Sequence, residues 1–269
     1  MVKPPSYRPT MRSNALPPAL ESSLQADLLS ALSRDEIEVL FQPQFACADG
    51  RMVGAEALSR WQHPSLGEIG ARDLFSIAEK AGLVAPVSRH VVAQALETAR
   101  AWPDTLTLSL NITPEEIAEP SFARDFASLV GRSGIAPSRL TLEITEDVLL
   151  NDLDLAAEAL EALNGAGLKI ALDDFGAGYC NFSYLKSLPL NLLKLDRAMI
   201  EGITNDPRDL AVMRAIVTLA HALELEVVAE GIETEAQRQV IVAEGCAYWQ
   251  GFLRAEPMRN AEMLKFADM

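Results

Sequence analysis

The sequence predicts an α/β protein: a closed, TIM-like (β/α)8 barrel with helices outside, modified at its N-terminal strands. Three observations predict it. Short apolar strands alternate with amphipathic helices along most of the chain, which is the signature of repeated strand–helix units. About eight such units fit into 269 residues, an ordinary size for one barrel domain. No glycine-rich phosphate turn follows an early strand, as an open doubly wound sheet would usually show.

The elements follow in order. Residues 1–20 hold five prolines and little apolar periodicity, so 1–21 is expected to be a flexible arm or linker remnant and 22–269 the domain. A helical pattern runs from Leu20 to about Leu32. Runs of apolar residues predict strands at 37–45, 52–58, 106–112, 140–144, 168–172, 192–195, 226–229 and 247–252. Apolar residues three and four apart predict helices at 71–81, 87–101, 120–130, 153–163, 210–223 and 233–242. The first two strands are joined by Ala48-Asp49-Gly50, a hairpin-like entry rather than a regular barrel repeat. Asp206-Pro207 reads as a helix start, and Gly82, Gly165-Ala-Gly167 and Gly245 read as helix stops.

Composition narrows the function. Asp and Glu number 38 against 23 Lys and Arg, a net charge of −15, which repels nucleic acid at long range. No direct DNA, RNA or membrane binding is expected, since no basic run and no apolar run of membrane-spanning length is present. Cys47, Cys180 and Cys246 are scattered, with no Cys-x-x-Cys pair, so a disulfide framework is not expected and a cytoplasmic setting fits. His63, His90 and His221 lack metal-ligand spacing, and His221 is read as a core or boundary residue. Trp61, Trp102 and Trp249 are read as core, with Trp61 the best exception because it neighbours Arg60.

Polar residues recur at the ends of apolar strands: Glu56, Asn111, Glu143, Asp173 and Asp174, Lys194 and Asp196, Glu230, and Gln250. In a barrel all strand C-termini open on one face, so these residues converge. Alternation puts Lys194 and Asp196 on the same side. Singly, Asp173-Asp174 also suits a helix N-cap and Glu143 an exposed strand end. As a set they do not, because caps and surface charges do not select one strand end after another. Carboxylates gathered so closely repel, and divalent cations remove the conflict. Carboxylates with an amide oxygen are hard ligands suited to Mg²⁺, Mn²⁺ or Ca²⁺. The tandem Asp173-Asp174 can serve two metals, the arrangement used for in-line phosphoryl displacement.

At these residues the chain resembles the EAL family of bacterial cyclic-di-GMP phosphodiesterases. Glu56-Ala57-Leu58 is the name motif, within Gly54-Ala-Glu-Ala-Leu-Ser-Arg-Trp61. Further matches are Phe41-Gln42-Pro43, Leu110-Asn111-Ile112, Leu142-Glu-Ile-Thr-Glu146, Asp173-Asp-Phe-Gly-Ala-Gly-Tyr179, Leu193-Lys-Leu-Asp196, Val228-Ala-Glu-Gly-Ile-Glu-Thr234 and Gln250-Gly-Phe252. The resemblance implies an EAL-type barrel that linearises cyclic-di-GMP to pGpG with two Mg²⁺ or Mn²⁺ ions, Ca²⁺ being inhibitory. It implies that Glu56, Asn111, Glu143 and Asp173 hold one metal and that Asp173, Asp174 and Glu230 serve the other. Lys194 would orient the attacking water, and Glu230 could assist. Gln42, Leu58, Arg60, Asp196 and Gln250 would face the substrate, with Arg60 on a phosphate and Gln250 also bracing the site. Glu146 would anchor the loop at 174–182, and Glu233 would brace the strand-end network. A homodimer and an upstream sensory or GGDEF-like domain are further family expectations.

The family loop resembles Asp-Phe-Gly-Thr-Gly-Tyr-Ser-Ser-Leu, whereas this chain has Asp174-Phe-Gly-Ala-Gly-Tyr-Cys-Asn-Phe182 and loses three hydroxyls. That keeps open a second reading, a catalytically weak or inactive cyclic-di-GMP receptor. An enolase-type acid/base barrel is a third, and the tandem aspartates and motif order weigh against it.

Overall fold

A computed structural model describes residues 18–145, 153–177 and 184–267. The described residues form two compact units, 18–39 with 59–91, and 40–58 with those from 92 to 267.

In the first unit, helix α1 (Pro18–Ala31) starts inside the segment expected to be an arm. Strand β2 (Met52–His63) continues into this unit and pairs antiparallel with β3 (Gly67–Gly70), which leads into α2 (Ala71–Ala81) and α3 (Val84–Ala99). Leu24 and Leu28 of α1, Trp61, Ile69, and Leu74 and Ile77 of α2 form its core. Trp61 is fully buried and donates its indole N–H to Glu36, so it is not a stacking platform. His63 accepts the Ser65 and Leu66 N–H groups at Nδ1 and faces Asp27 through Nε2 at 3.4 Å.

The second unit is the barrel. Its strands are β1 (Ile37–Ala46), β2, β4 (Thr107–Asn111), β5 (Leu140–Ile144), β6 (Lys169–Phe175), β7 (Leu192–Leu195), β8 (Glu226–Ala229) and β9 (Tyr248–Trp249). The order β1-β9-β8-β7-β6-β5-β4-β2 closes through a β1–β2 pairing. Seven strands run parallel, and β1 is antiparallel to β9. The hairpin entry read from Ala48-Asp49-Gly50 is therefore present, with Gly50 at φ 72°.

Alternation divides each strand. Leu108, Leu110, Leu142, Ile170, Leu172 and Leu193 are buried on the helix-facing side. Thr107, Ser109, Thr141, Glu143, Lys169, Ala171 and Lys194 take the opposite, inward side. The helix layer includes α4 (Phe122–Ser133), α5 (Leu153–Gly165), α6 (Pro207–Ala222) and α7 (Glu235–Ala243). Asp206 caps α6 by accepting the Arg208 N–H at 2.7 Å, with proline in the first turn.

Four expectations change. Asp173-Asp174 is not a helix cap, because β6 runs on to Phe175 with Asp174 at φ 55°, a conformation aspartate tolerates. The strand expected at 247–252 is only Tyr248–Trp249, because Gly251 turns the chain against Ile232. Gly67–Gly70 and the helix Asn260–Ala267 were too short and weakly patterned to predict. His221 is exposed in the last turn of α6, with Nε2 3.1 Å from the Gly245 carbonyl oxygen, so it is not a core residue.

Gly54 lets β2 approach β4 closely. A Cβ there would lie 2.5 Å from the Thr107 carbonyl oxygen, backbone that cannot give way cheaply. Gly54→Ala is expected to destabilise by about 1–3 kcal/mol, as overpacked sites do. An unchanged denaturant midpoint would contradict this close approach.

Candidate active site

Strands β2, β4, β5, β6 and β7 bring Glu56, Asn111, Glu143, Asp173 and Lys194 to the site, and Glu230 and Gln250 directly follow β8 and β9. Lys194, 1 % exposed, is the hub. Its Nζ lies 2.7 Å from Glu143 Oε2, 2.8 Å from Glu230 Oε1, 2.9 Å from Asp173 Oδ1 and 3.5 Å from Glu56 Oε2. Two overlapping groups offer ligand atoms within 4.8 Å of one another: Glu56, Glu143 and Asp173, and Asp173, Asp174 and Glu230. Asp173 belongs to both.

Amide side chains fix the carboxylates. Asn111 Nδ2 donates to Glu56 Oε1 at 2.9 Å. Gln250 Nε2 donates to Glu56 Oε2 at 2.7 Å and to Glu230 Oε1 at 3.0 Å. Gln44 Nε2 in turn donates to Gln250 Oε1 at 3.1 Å. Sequence reading missed Gln44, although it lies two residues from Gln42 on the same strand and hence on the same face.

The electrostatics follow from burial and crowding. Desolvation pushes Glu143 well above the usual carboxylate range, with the Glu56 charge adding to it. Burial pushes Glu230 up to about 8 against the opposing pull of Lys194. Partial desolvation and the Asp173 charge push Asp174 to about 6. Burial would also raise Glu56, but Lys194 and the Gln250 and Asn111 hydrogen bonds together bring it below its ordinary value. Burial opposes charge on Lys194, yet the four carboxylates raise it well above an ordinary lysine.

The other expected residues are placed as follows. Glu233 forms an ion pair with Arg197 at 2.9 Å, a partner sequence reading did not name. Asp196 accepts the Ala198 N–H at 2.8 Å and caps the turn Arg197–Ile200. Gln42, Arg197, Glu230, Glu233, Gln250 and Phe252 surround a cavity of about 210 Å³. Leu58 is half-buried near the end of the second unit's stretch of β2. Arg60 falls in the first unit, where it donates to the Ser59 carbonyl at 2.8 Å and lies 3.6 Å from Glu68. Glu146 and loop residues 178–182 lie outside the described residues.

A parallel barrel with one reversed strand, and stacked carboxylates at its strand ends around a buried lysine, defines a class. The EAL domain profile matches residues 25–257, and the chain belongs to the EAL-domain family. It is 36 % identical over 262 residues to the bifunctional diguanylate cyclase/cyclic di-GMP phosphodiesterase MucR of Pseudomonas aeruginosa, covering 96 % of this chain and 38 % of MucR. It is 34 % identical over 250 residues to the cyclic di-GMP phosphodiesterase NbdA of the same organism, covering 91 % of this chain and 32 % of NbdA. The solved PaMucR phosphodiesterase, in complex with c-di-GMP, superposes with a TM-score of 0.84 at 37 % identity, over 90 % of this chain and 99 % of that one. The chain thus spans well under half the length of these curated relatives. Among the described residues, no helix is long and apolar enough to cross a membrane.

Proposed function

We propose that this chain hydrolyses cyclic-di-GMP to linear pGpG, using two divalent cations held by Glu56, Asn111, Glu143, Asp173, Asp174 and Glu230. The observation that carries this reading is the pair of carboxylate triads sharing Asp173. Fully ionised, five carboxylates and one ammonium leave four negative charges in one site, which two divalent cations neutralise. The donors are all hard oxygens, the set that suits Mg²⁺ or Mn²⁺.

Bound there, such ions supply an acidified water and counter-charge for the departing oxygen. The protein's own groups do the rest. Lys194 Nζ holds Glu143 at 2.7 Å and Asp173 at 2.9 Å, which fixes both carboxylates in one geometry. Gln250, braced by Gln44, ties Glu56 to Glu230 by donating Nε2 to both. Lys194 sits at the centre of the charge and can orient the nucleophile toward phosphorus. Without metal, burial holds Glu230 up at about 8, so a cation bound there would displace its proton near neutral pH. Gln42 and Gln250 line the cavity that would receive part of the dinucleotide, and Arg60 is assigned to a phosphate on family grounds.

Metal should compete with protons here. Glu230 and Asp174 have folded pKa values above their unfolded ones, so their stabilising contribution is full at low pH and is lost as pH rises toward 8 and 6 respectively. The metal-free protein is therefore expected to unfold at lower temperature at pH 8 than at pH 5. Mg²⁺ or Mn²⁺ should raise the midpoint more at pH 8, with two ions bound per chain by calorimetry. One ion per chain, or a metal effect larger at pH 5, would argue against the proposed site.

We also read the partner set as cyclic-di-GMP, a second copy of the chain, and a sensory or GGDEF-like domain in the longer protein. A monomer by light scattering, with substrate and metal present, would remove the second copy from that set.

A further inference from the structure

The lower half of the barrel holds a small apolar cluster of Ala171, Leu192 and Val228, with Tyr248 packed against it, beside polar wall residues. Interiors of this fold are filled by layers of branched aliphatic side chains. Here a cavity of about 250 Å³ occupies the interior beneath the acidic site. Its walls include Thr107, Ser109 and Thr141 on the polar side and Val53, Ala171, Leu192 and Val228 on the apolar side. At one end it meets Thr105, Lys169 and Tyr248, at or near the starts of their strands. Thr105 is exposed there, and Lys169 and Glu226 form a half-exposed ion pair at 3.0 Å. At the other end it touches Glu143 and Lys194, each 1 % exposed.

We propose that this cavity is a solvent shaft: a second entrance, on the face opposite the strand ends, that brings water and small neutral solutes to the underside of Lys194 and Glu143. Three observations carry it. Ser109 and Thr141 are 3 % and 6 % exposed as residues and stand on its wall, where their hydroxyls can hydrogen-bond to water. At about 30 Å³ per water the space takes about eight waters. Finally, Lys169 at one end is paired with Glu226 and Lys194 at the other is outweighed by the carboxylates around it, so anions are disfavoured in the shaft. The shaft is independent of the reaction proposed above. It keeps the floor of the site wet even when a large ligand covers the strand-end mouth.

The test is access of a small neutral thiol reagent to the shaft wall. Ser109→Cys is made in a Cys180→Ser background, where the remaining Cys47 and Cys246 are buried and their thiols are pushed up to about 11 and 12. Methyl methanethiosulfonate then forms a mixed disulfide with the introduced thiol, releasing methanesulfinate, and mass spectrometry follows the rate. Leu192→Phe narrows the shaft from its wall. The expected result is modification of the folded Ser109→Cys chain well above the background chain, slowed at least tenfold by Leu192→Phe with the unfolding midpoint retained. Modification no faster than background, or a rate that Leu192→Phe leaves unchanged, overturns the shaft. Thr141→Cys serves as the reporter if Ser109→Cys fails to fold, under the same two criteria.

Discussion

Asp173→Asn is expected to abolish cyclic-di-GMP turnover, lowering kcat/KM by at least about a thousandfold, or about 4 kcal/mol of transition-state stabilisation. Asp173 is the one carboxylate common to both triads, and its Oδ1 also meets Lys194 at 2.9 Å. Asparagine keeps the shape but removes the charge that both cations would share. The accompanying signature is metal stoichiometry, which should fall from two toward one or none while the unfolding midpoint without metal is preserved or rises. A substitution that costs less than tenfold would mean that Asp173 does not join two metals.

Lys194→Met should act in the opposite way on stability. The ammonium is fully buried among four carboxylates, and removing it leaves their charges uncompensated. Breaking a buried ion pair from one side costs about 3–5 kcal/mol. The metal-free variant is therefore expected to lose that much at pH 7.5. It should lose less at pH 5, where Glu230 and its neighbours take up protons instead. Millimolar Mg²⁺ or Mn²⁺ should restore much of the lost stability by supplying positive charge at the same place, yet turnover should remain at least a hundredfold down. Full activity in Lys194→Met would confine the lysine to a structural part.

The strand-end carboxylates were legible in the sequence because two simple periodicities expose them. A short apolar run marks a strand, and a polar residue at its end marks the rim of a barrel. Glu143, Asp173 and Glu230 follow that rule on different strands, whereas Glu56 fits only the expected strand 52–58, because β2 runs on to His63. What could not be read was distance. Nothing in Leu193-Lys-Leu-Asp196 says that Lys194 meets four carboxylates at once. That depends on the stagger of β7 against β6 and β8, which only closure of the barrel sets. Gln44 escaped because its function is to hold Gln250, a residue 206 positions away. The strand β3 escaped because Gly67-Glu-Ile-Gly70 carries a single apolar residue, and its pairing with β2 is tertiary. The polar interior of the lower barrel was visible only in part. Lys169, Ser109 and Thr141 read as unremarkable strand residues until alternation is combined with the direction each strand faces.

The most direct test of the central claim is cyclic-di-GMP turnover followed by chromatography, with Mg²⁺, with Mn²⁺, with Ca²⁺ and with chelator, beside Glu56→Ala. The two-cation reading predicts pGpG with Mg²⁺ or Mn²⁺, and none with chelator or in Glu56→Ala. Nucleotide bound but left intact under every metal would contradict it, and would make the chain a receptor built on the same acidic site.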